Sequence, residues 1–329
     1  MKALVYDATR TLTYRDMPDP VAGPGASLIR VAASGICGSD MHAFLGHDDR
    51  RPAPLILGHE AAGVIAGGAR DGTRVTINPL VTCGTCPACR AGRDNLCPTR
   101  QIISMPPREG AFAERLAMPD GNLVTVPNHV PLHKAALAEP LACGWHAVRL
   151  GADALSVPLA DANCHVIGGG AIGVGAALAL RACGATRVTL AEPNALRRDT
   201  LARIDGFDPV APGTVTSADL VIDGVGYAAT RAEATAIARP GGVILHIGLG
   251  EATGGLDIRR MTLQEITFIG TYTYTAQDFR DTAAAIFDGR LGALDWTEAR
   301  PLSDGQRAFD DIRAGRVAAP KIILEPAHV

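Results

Sequence analysis

The sequence predicts an α/β protein of two domains: a small, β-rich, barrel-like domain and a doubly wound parallel sheet. Three observations carry that expectation. Four thiols, Cys83, Cys86, Cys89 and Cys97, stand with two, two and seven residues between them in one turn-rich stretch. A short apolar strand at 164–167 runs into Gly168-Gly-Gly170-Ala-Ile172-Gly173 and then an Ala-rich helix. Beyond it, strand and helix alternate to about residue 270, the pattern of a parallel sheet. At 329 residues the chain is long for one core, so two domains are expected.

Residues 1–35 read as short strands, Ala3–Tyr6 and Leu28–Ala33, punctuated by Gly23-Pro-Gly25. No long apolar stretch follows Met1-Lys-Ala-Leu-Val-Tyr6, so a signal peptide is not expected and the reading is a cytoplasmic protein. The runs around 166–180 and 243–250 are too short or too broken by glycine to span a bilayer. A net charge of −3 gives no reason to expect nucleic acid or an anionic membrane as partner.

Next come Gly35-Ile-Cys37-Gly-Ser39-Asp-Met-His42 and Gly58-His59-Glu60. Cysteine, histidine and glutamate are all zinc donors, and a mixed set of three leaves a fourth position for water or substrate. Residues 74–80 read as a strand leading into the thiol loop. Gly84, Pro87, Gly92 and Asn95 make that loop all turns, with no apolar periodicity to build its own core. Four thiolates so spaced close a tetrahedral shell around zinc, a structural site; paired disulfides would need an oxidising compartment. Cys143, Cys164 and Cys183 sit in apolar surroundings and read as core residues. Residues 110–116 and 123–126 return to strand pattern, and 134–148 read as two helices interrupted at Pro140. Glu139, alone among apolar neighbours, needs a cation and joins the zinc candidates.

In the second half, Gly168 permits a tight turn, Gly170 admits a pyrophosphate and Gly173 lets helix and strand approach. The helix N-terminus supplies amide donors to the phosphates. Glu192 ends the next strand, placed to accept both ribose hydroxyls, which favours NAD; Arg197 and Arg198 keep NADP open. Strands at 220–223, 243–248 and 266–270 follow, with a helix over 230–238. Residues 204–218 are too short and broken for a full crossover helix. Helices over 276–288 and 306–314 and a strand at Lys321–Leu324 are expected to return to the first domain, giving domains 1–150 plus 275–329 and 151–274.

These motifs, in this order, resemble the zinc-containing medium-chain dehydrogenases, and among them the sorbitol (polyol) dehydrogenase branch. The resemblance implies a GroES-like catalytic domain, a Rossmann domain, two zinc ions per chain, NAD, and a homodimer or homotetramer. It implies that Cys37, His59 and Glu60 hold the catalytic zinc, with Glu139 reaching it directly or through water or substrate. Ser39 and His42 match the positions that carry the alcohol proton to solvent. Ile172, Glu192, Arg197, Ile247, Gly248, Leu249, Thr271, Tyr272 and Thr273 match cofactor contacts, and Tyr274 lies near the substrate. The implied reaction takes a polyol or other secondary alcohol to a ketone. A sugar phosphate is the alternative substrate, with Arg50, Arg51 and Arg108 as its only basic candidates; a non-catalytic zinc- or NAD-binding protein is the alternative class. Ala43 and Thr273 stand where polyol dehydrogenases of this type carry an aromatic residue and an arginine, so sorbitol itself is not the expected substrate.

Overall fold

The computed structural model describes residues 1–204 and 206–327. The chain divides into two compact units. The first contains residues 1–139, 279–288 and 297–329, the second residues 140–278 and 289–296.

In the first unit the main sheet runs, neighbour to neighbour, through Leu123–Thr125, Arg74–Ile77, Glu60–Ala66, Ala26–Gly35, Lys321–Glu325 and Thr297–Pro301, with Arg115–Pro119 also paired to Ala26–Gly35. Lys2–Ala8 pairs with Thr11–Asp16 and Leu55–Ile56 in a smaller sheet. Alternating apolar residues close two cores, one around Ile29, Val31, Ile65, Val75 and Ile77 and one around Phe44, Phe112 and Phe309. Lys321–Glu325 lies antiparallel to Ala26–Gly35, with Leu324 opposite Ser34. The last strand therefore lands beside the segment that leads into Cys37.

The second unit is one parallel sheet of six strands: Asn163–Ile167, Arg187–Ala191, Pro209–Val210, Ala218–Asp223, Ala238–His246 and Thr267–Gly270. Taken in chain order, their spatial order is 3-2-1-4-5-6, the doubly wound arrangement that binds dinucleotides at the carboxyl ends of its strands.

Several elements differ from the sequence reading. Pro140 does not interrupt a helix. It is the third residue of Ala138–Ala154, where a first-turn proline sacrifices no intrahelical hydrogen bond; the break falls between Ala135 and Ala138. That helix straddles the division between units, so residues 140–150 belong with the second unit, as do 275–278 and 289–296. The fifth strand begins at Ala238 and crosses Pro240-Gly-Gly with a register shift. Helices Ala195–Leu201 and Ile258–Leu263 and strands Thr11–Asp16 and Thr297–Pro301 are additional. In the trimmed crossover the described residues form the two-residue strand Pro209–Val210 and turns; Asp205 lies outside the described residues. No helix among the described residues is long and apolar enough to cross a membrane.

Candidate metal centres and dinucleotide turn

Strand Ala26–Gly35 delivers Cys37 to the start of a short helix, Gly38–Phe44. The Asp40 carboxylate accepts the Cys37 N–H at 3.0 Å, half of a capping box, and the Gly58 N–H at 3.2 Å. One buried carboxylate thus pins together two segments about twenty residues apart. It also faces the His59 ring, with Oδ1 3.5 Å from Nδ1. Burial opposes ionisation of Asp40, but His59 and Arg51 outweigh it and hold the carboxyl below its ordinary value. Burial likewise opposes a charged His59, yet Asp40 and Cys37 push it well above the ordinary imidazole value.

Glu60, the first residue of the neighbouring strand, completes the set: one ligand atom each from Cys37, His59 and Glu60 lies within 4.8 Å of the others. Glu60 is fully buried. Its Oε1 accepts from Lys321 Nζ at 2.6 Å, while Oε2 has no hydrogen-bond partner. A buried carboxylate oxygen left unpaired costs of order 1–3 kcal/mol or more, and a metal ion would satisfy it. Lys321 also donates to the Ile36 carbonyl at 2.8 Å, so its ammonium is held on two sides. Thiolate, imidazole and carboxylate together fit zinc with an open position. Glu139 is buried at the start of helix Ala138–Ala154 and outside the 4.8 Å set, though close enough for its charge to raise Lys321.

Ser39 and His42, three residues apart, share a face of the Gly38–Phe44 helix; Ser39 is half-buried and His42 exposed. Ala43 is part of the apolar core. Arg50 is paired to Asp48 at 2.8 Å, Arg51 is buried on Asp48 and Ser39, and Arg108 donates to Gln101 at 2.7 Å.

All four cysteines of the loop are unbridged, and one Sγ from each lies within 4.8 Å of the rest. Cys83 Sγ is 3.6 Å from Cys97 and 3.9 Å from Cys89. Backbone amides turn inward: Cys86 N–H donates to Cys83 Sγ and Cys89 N–H to Cys86 Sγ. Hydrogen bonds from the Thr85 and Cys86 amides pull Cys83 down to about 5, while desolvation and the neighbouring thiols push Cys89 up to about 12. Four sulfurs this close do not all ionise without a cation among them. The set fits a closed structural zinc site.

In the second unit Gly168 has φ of +102°, and a Cβ at Gly173 would stand 1.7 Å from the Gly168 carbonyl oxygen. Only glycine allows that contact. Gly170 caps the helix Ala171–Ala182, and nothing lies within 4 Å of the point where its Cβ would stand, so its outer face is open. Glu192 is buried: Oε2 accepts the Gly169 N–H at 2.9 Å and Oε1 the Asn194 N–H at 2.8 Å. Arg197 lies 3.8 Å from the same carboxylate, and Arg198 donates to the carbonyls of Glu192 and Pro193. At the ends of the fifth and sixth strands, Ile247 and Gly248 both donate to the Asp223 carbonyl, Leu249 is exposed, and Thr271 donates to the His246 carbonyl. Tyr272 is half-buried, Thr273 has φ of +46°, and Tyr274 is buried.

Sequence reasoning passes over Asp40, Ser104 and the Lys321–Glu60 pair. Asp40 is signalled by its position three residues after Cys37. Lys321, 261 residues from Glu60, carries no local signal.

A Cys/His/Glu metal-donor set in one unit, and a dinucleotide-type glycine turn on a doubly wound sheet in the other, are the features of a metal-assisted oxidoreductase. The alcohol dehydrogenase GroES-like domain matches residues 23–128 and the zinc-binding dehydrogenase domain residues 171–288. The chain belongs to the zinc-containing medium-chain dehydrogenases. It is 31% identical to the sorbitol dehydrogenase of Bacillus subtilis, over 83% of this chain and 82% of the relative. It is 30% identical to the L-galactonate-5-dehydrogenase of Escherichia coli, over 89% of each. Among solved structures, the alcohol dehydrogenase TADH from Thermus sp. ATN1 superposes with a TM-score of 0.87 at 25% identity, over 99% of this chain and 100% of that one.

Proposed function

We propose that the protein oxidises a secondary alcohol of a polyol or sugar alcohol to the ketone, with NAD as hydride acceptor. The observation that carries this reading is the convergence of Cys37, His59 and Glu60 beside the helix face bearing Ser39 and His42. Zinc bound there supplies Lewis acidity toward the substrate hydroxyl, and NAD supplies the hydride acceptor. The chain's own residues do the rest. Ser39 accepts the proton leaving that hydroxyl and hands its own to His42, whose exposed imidazole releases it to water. Asp40 fixes the ring of His59, and Lys321 restricts Glu60 to presenting one oxygen. Glu139 is a buried acid whose charge reaches Lys321, and it would meet the zinc directly or through water or substrate. Cys83, Cys86, Cys89 and Cys97 hold the second zinc; four reduced thiols are in keeping with a cytoplasmic protein.

NAD is favoured over NADP because the Glu192 carboxylate is fixed by two amides where a 2′-phosphate would sit, and Arg198 is spent on carbonyls. A phosphorylated substrate draws no support, since Arg50, Arg51 and Arg108 are each committed to neighbours.

Metal analysis of the purified protein, coupled to a panel of polyols, sugar acids, sugar phosphates and simple secondary alcohols with both cofactors, tests the reading. Two zinc equivalents and reduction of NAD by a polyol are expected. One equivalent with no turnover would overturn it in favour of a binding protein. Gly173→Ala is expected to weaken NAD binding by at least about tenfold, because its methyl group must displace the Gly168 carbonyl. Zinc content should not change; calorimetric titration with NAD and metal analysis check the two halves of this expectation.

A further inference from the structure

Among the described residues, Arg51 is the one arginine buried beside the metal-donor set in the first unit: its side chain is 2% exposed. A buried guanidinium has to be neutralised and hydrogen-bonded, and here the partners are informative. Nη1 donates to Asp48 Oδ2 at 2.5 Å, which neutralises the charge. Nε donates to the Ser104 carbonyl at 3.0 Å. Nη1 reaches the Ser39 carbonyl at 3.5 Å and Nη2 the Ser39 hydroxyl at 3.4 Å. Ser104 in turn sets its own hydroxyl 3.4 Å from His59 Nδ1 and holds a φ of +67°, a conformation that costs energy outside glycine. One rigid fork therefore spans the loop at 48–51, the first turn of the helix that carries Ser39, and the residue behind His59.

Resting on the dehydrogenase reading above, we propose that Arg51 is a positioning residue for proton transfer: it holds the Ser39 hydroxyl in the direction the relay requires. A hydroxyl has one proton and two lone pairs. With Nη2–H occupying one lone pair of Ser39, the other is left to accept the substrate's proton, and the hydroxyl's own proton is directed onward. The proton moves from the substrate oxygen to Ser39 Oγ as the Ser39 O–H bond breaks toward His42; nothing is oxidised or reduced in that step. Where the Ser39 O–H bond breaks ahead of the arriving substrate proton, the guanidinium also stabilises the partial negative charge on Oγ. Lysine cannot substitute fully, because a single ammonium does not reproduce the planar fork that meets Asp48, Ser104 and Ser39 together.

The test is a double-mutant cycle of Arg51→Met and Ser39→Ala on the zinc- and NAD-loaded enzyme, with metal content and NAD affinity measured for every variant. Arg51→Met is expected to lower kcat about 10- to 100-fold with KM within about threefold, and to enlarge the solvent deuterium isotope effect on kcat. In the Ser39→Ala background the same substitution should cost less than about twofold, since its target is gone. Arg51→Lys should recover part of the loss. If Arg51→Met does not fold, Arg51→Lys enters the same cycle, with a smaller loss expected when Ser39 is absent than when it is present. Equal losses in both backgrounds, or loss of zinc from both arginine variants, would overturn the proposal and leave Arg51 a structural residue. A Ser39→Ala enzyme at full speed, or a wild type that reduces no cofactor, would instead remove the relay reading itself and this proposal with it.

Discussion

Cys37→Ala is expected to lower kcat by at least about 10³-fold, to reduce bound zinc from two equivalents to one, and to leave NAD affinity within about threefold. The size follows from what the side chain does. Cys37 is the thiolate member of a three-donor set, and imidazole plus carboxylate alone make a weak zinc site. The selectivity follows from the fold: the donors of this site belong to residues 1–139 and the glycine turn to residues 140–278. Cys37 is also the cleaner choice of ligand to remove. Asp40 accepts the Cys37 backbone amide, so that half of the capping box survives the substitution and only the half made by the Cys37 sulfur is lost. His59→Ala should be equally inactive but also strips Asp40, which is fully buried, of its facing imidazole and should cost stability of about 1–3 kcal/mol. Zinc analysis, steady-state kinetics and NAD titration on both variants separate these effects. Loss of NAD binding in Cys37→Ala would show that the two sites are not independent; retained turnover would remove Cys37 from the chemistry.

Much of this was legible in the chain, and the reasons are physical. The thiol loop and the glycine turn are local: their residues lie within fifteen and six positions, and their spacing alone dictates a geometry. The parallel sheet was legible from its period, down to the missing crossover helix before Ala218. What escaped was everything that depends on chain segments meeting late. Lys321 reads as the polar first residue of an apolar strand, and only the pairing of that strand with Ala26–Gly35 brings it to Glu60. Thr297–Pro301 is mostly polar and has no alternation; it is a strand because it lies parallel to Lys321–Glu325. Pro140 misleads because a proline signals a break without saying on which side the helix begins. Ala43 resembles a substrate-recognition position by the order of motifs, yet its side chain is core. The residues standing behind the donors, Asp40, Ser104, Arg51 and Lys321, are where sequence reading was weakest. They are ordinary in type and become specific only through their partners.

Cys83→Ser is expected to lower the melting temperature well beyond what its location suggests. Cys83 is exposed, and an exposed cysteine with no special partner changes stability by within about 0.5 kcal/mol when replaced. Here the loop from Cys83 to Cys97 buries little apolar surface. It contributes buried Asn95 and Cys97 to the interior, while Leu96 stays 40% exposed. Metal coordination is then the folding energy of the segment, and breaking one of four bonds forfeits much of it. A loss of about 3 kcal/mol would lower Tm by roughly 6–12 °C for a domain of this size. Amide hydrogen bonds at Cys83 lower its thiol and so favour the thiolate that a metal binds; serine offers no comparable anion. Zinc should fall by one equivalent, and activity at low temperature should persist until the loop melts, the reverse of the Cys37→Ala pattern. Calorimetry with and without a chelator supplies the control: chelation should shift the parent protein further than the variant, which has only the catalytic zinc left to lose. A variant as stable as its parent, with both zinc equivalents retained, would mean that three thiols suffice or that the loop is held by contacts other than metal.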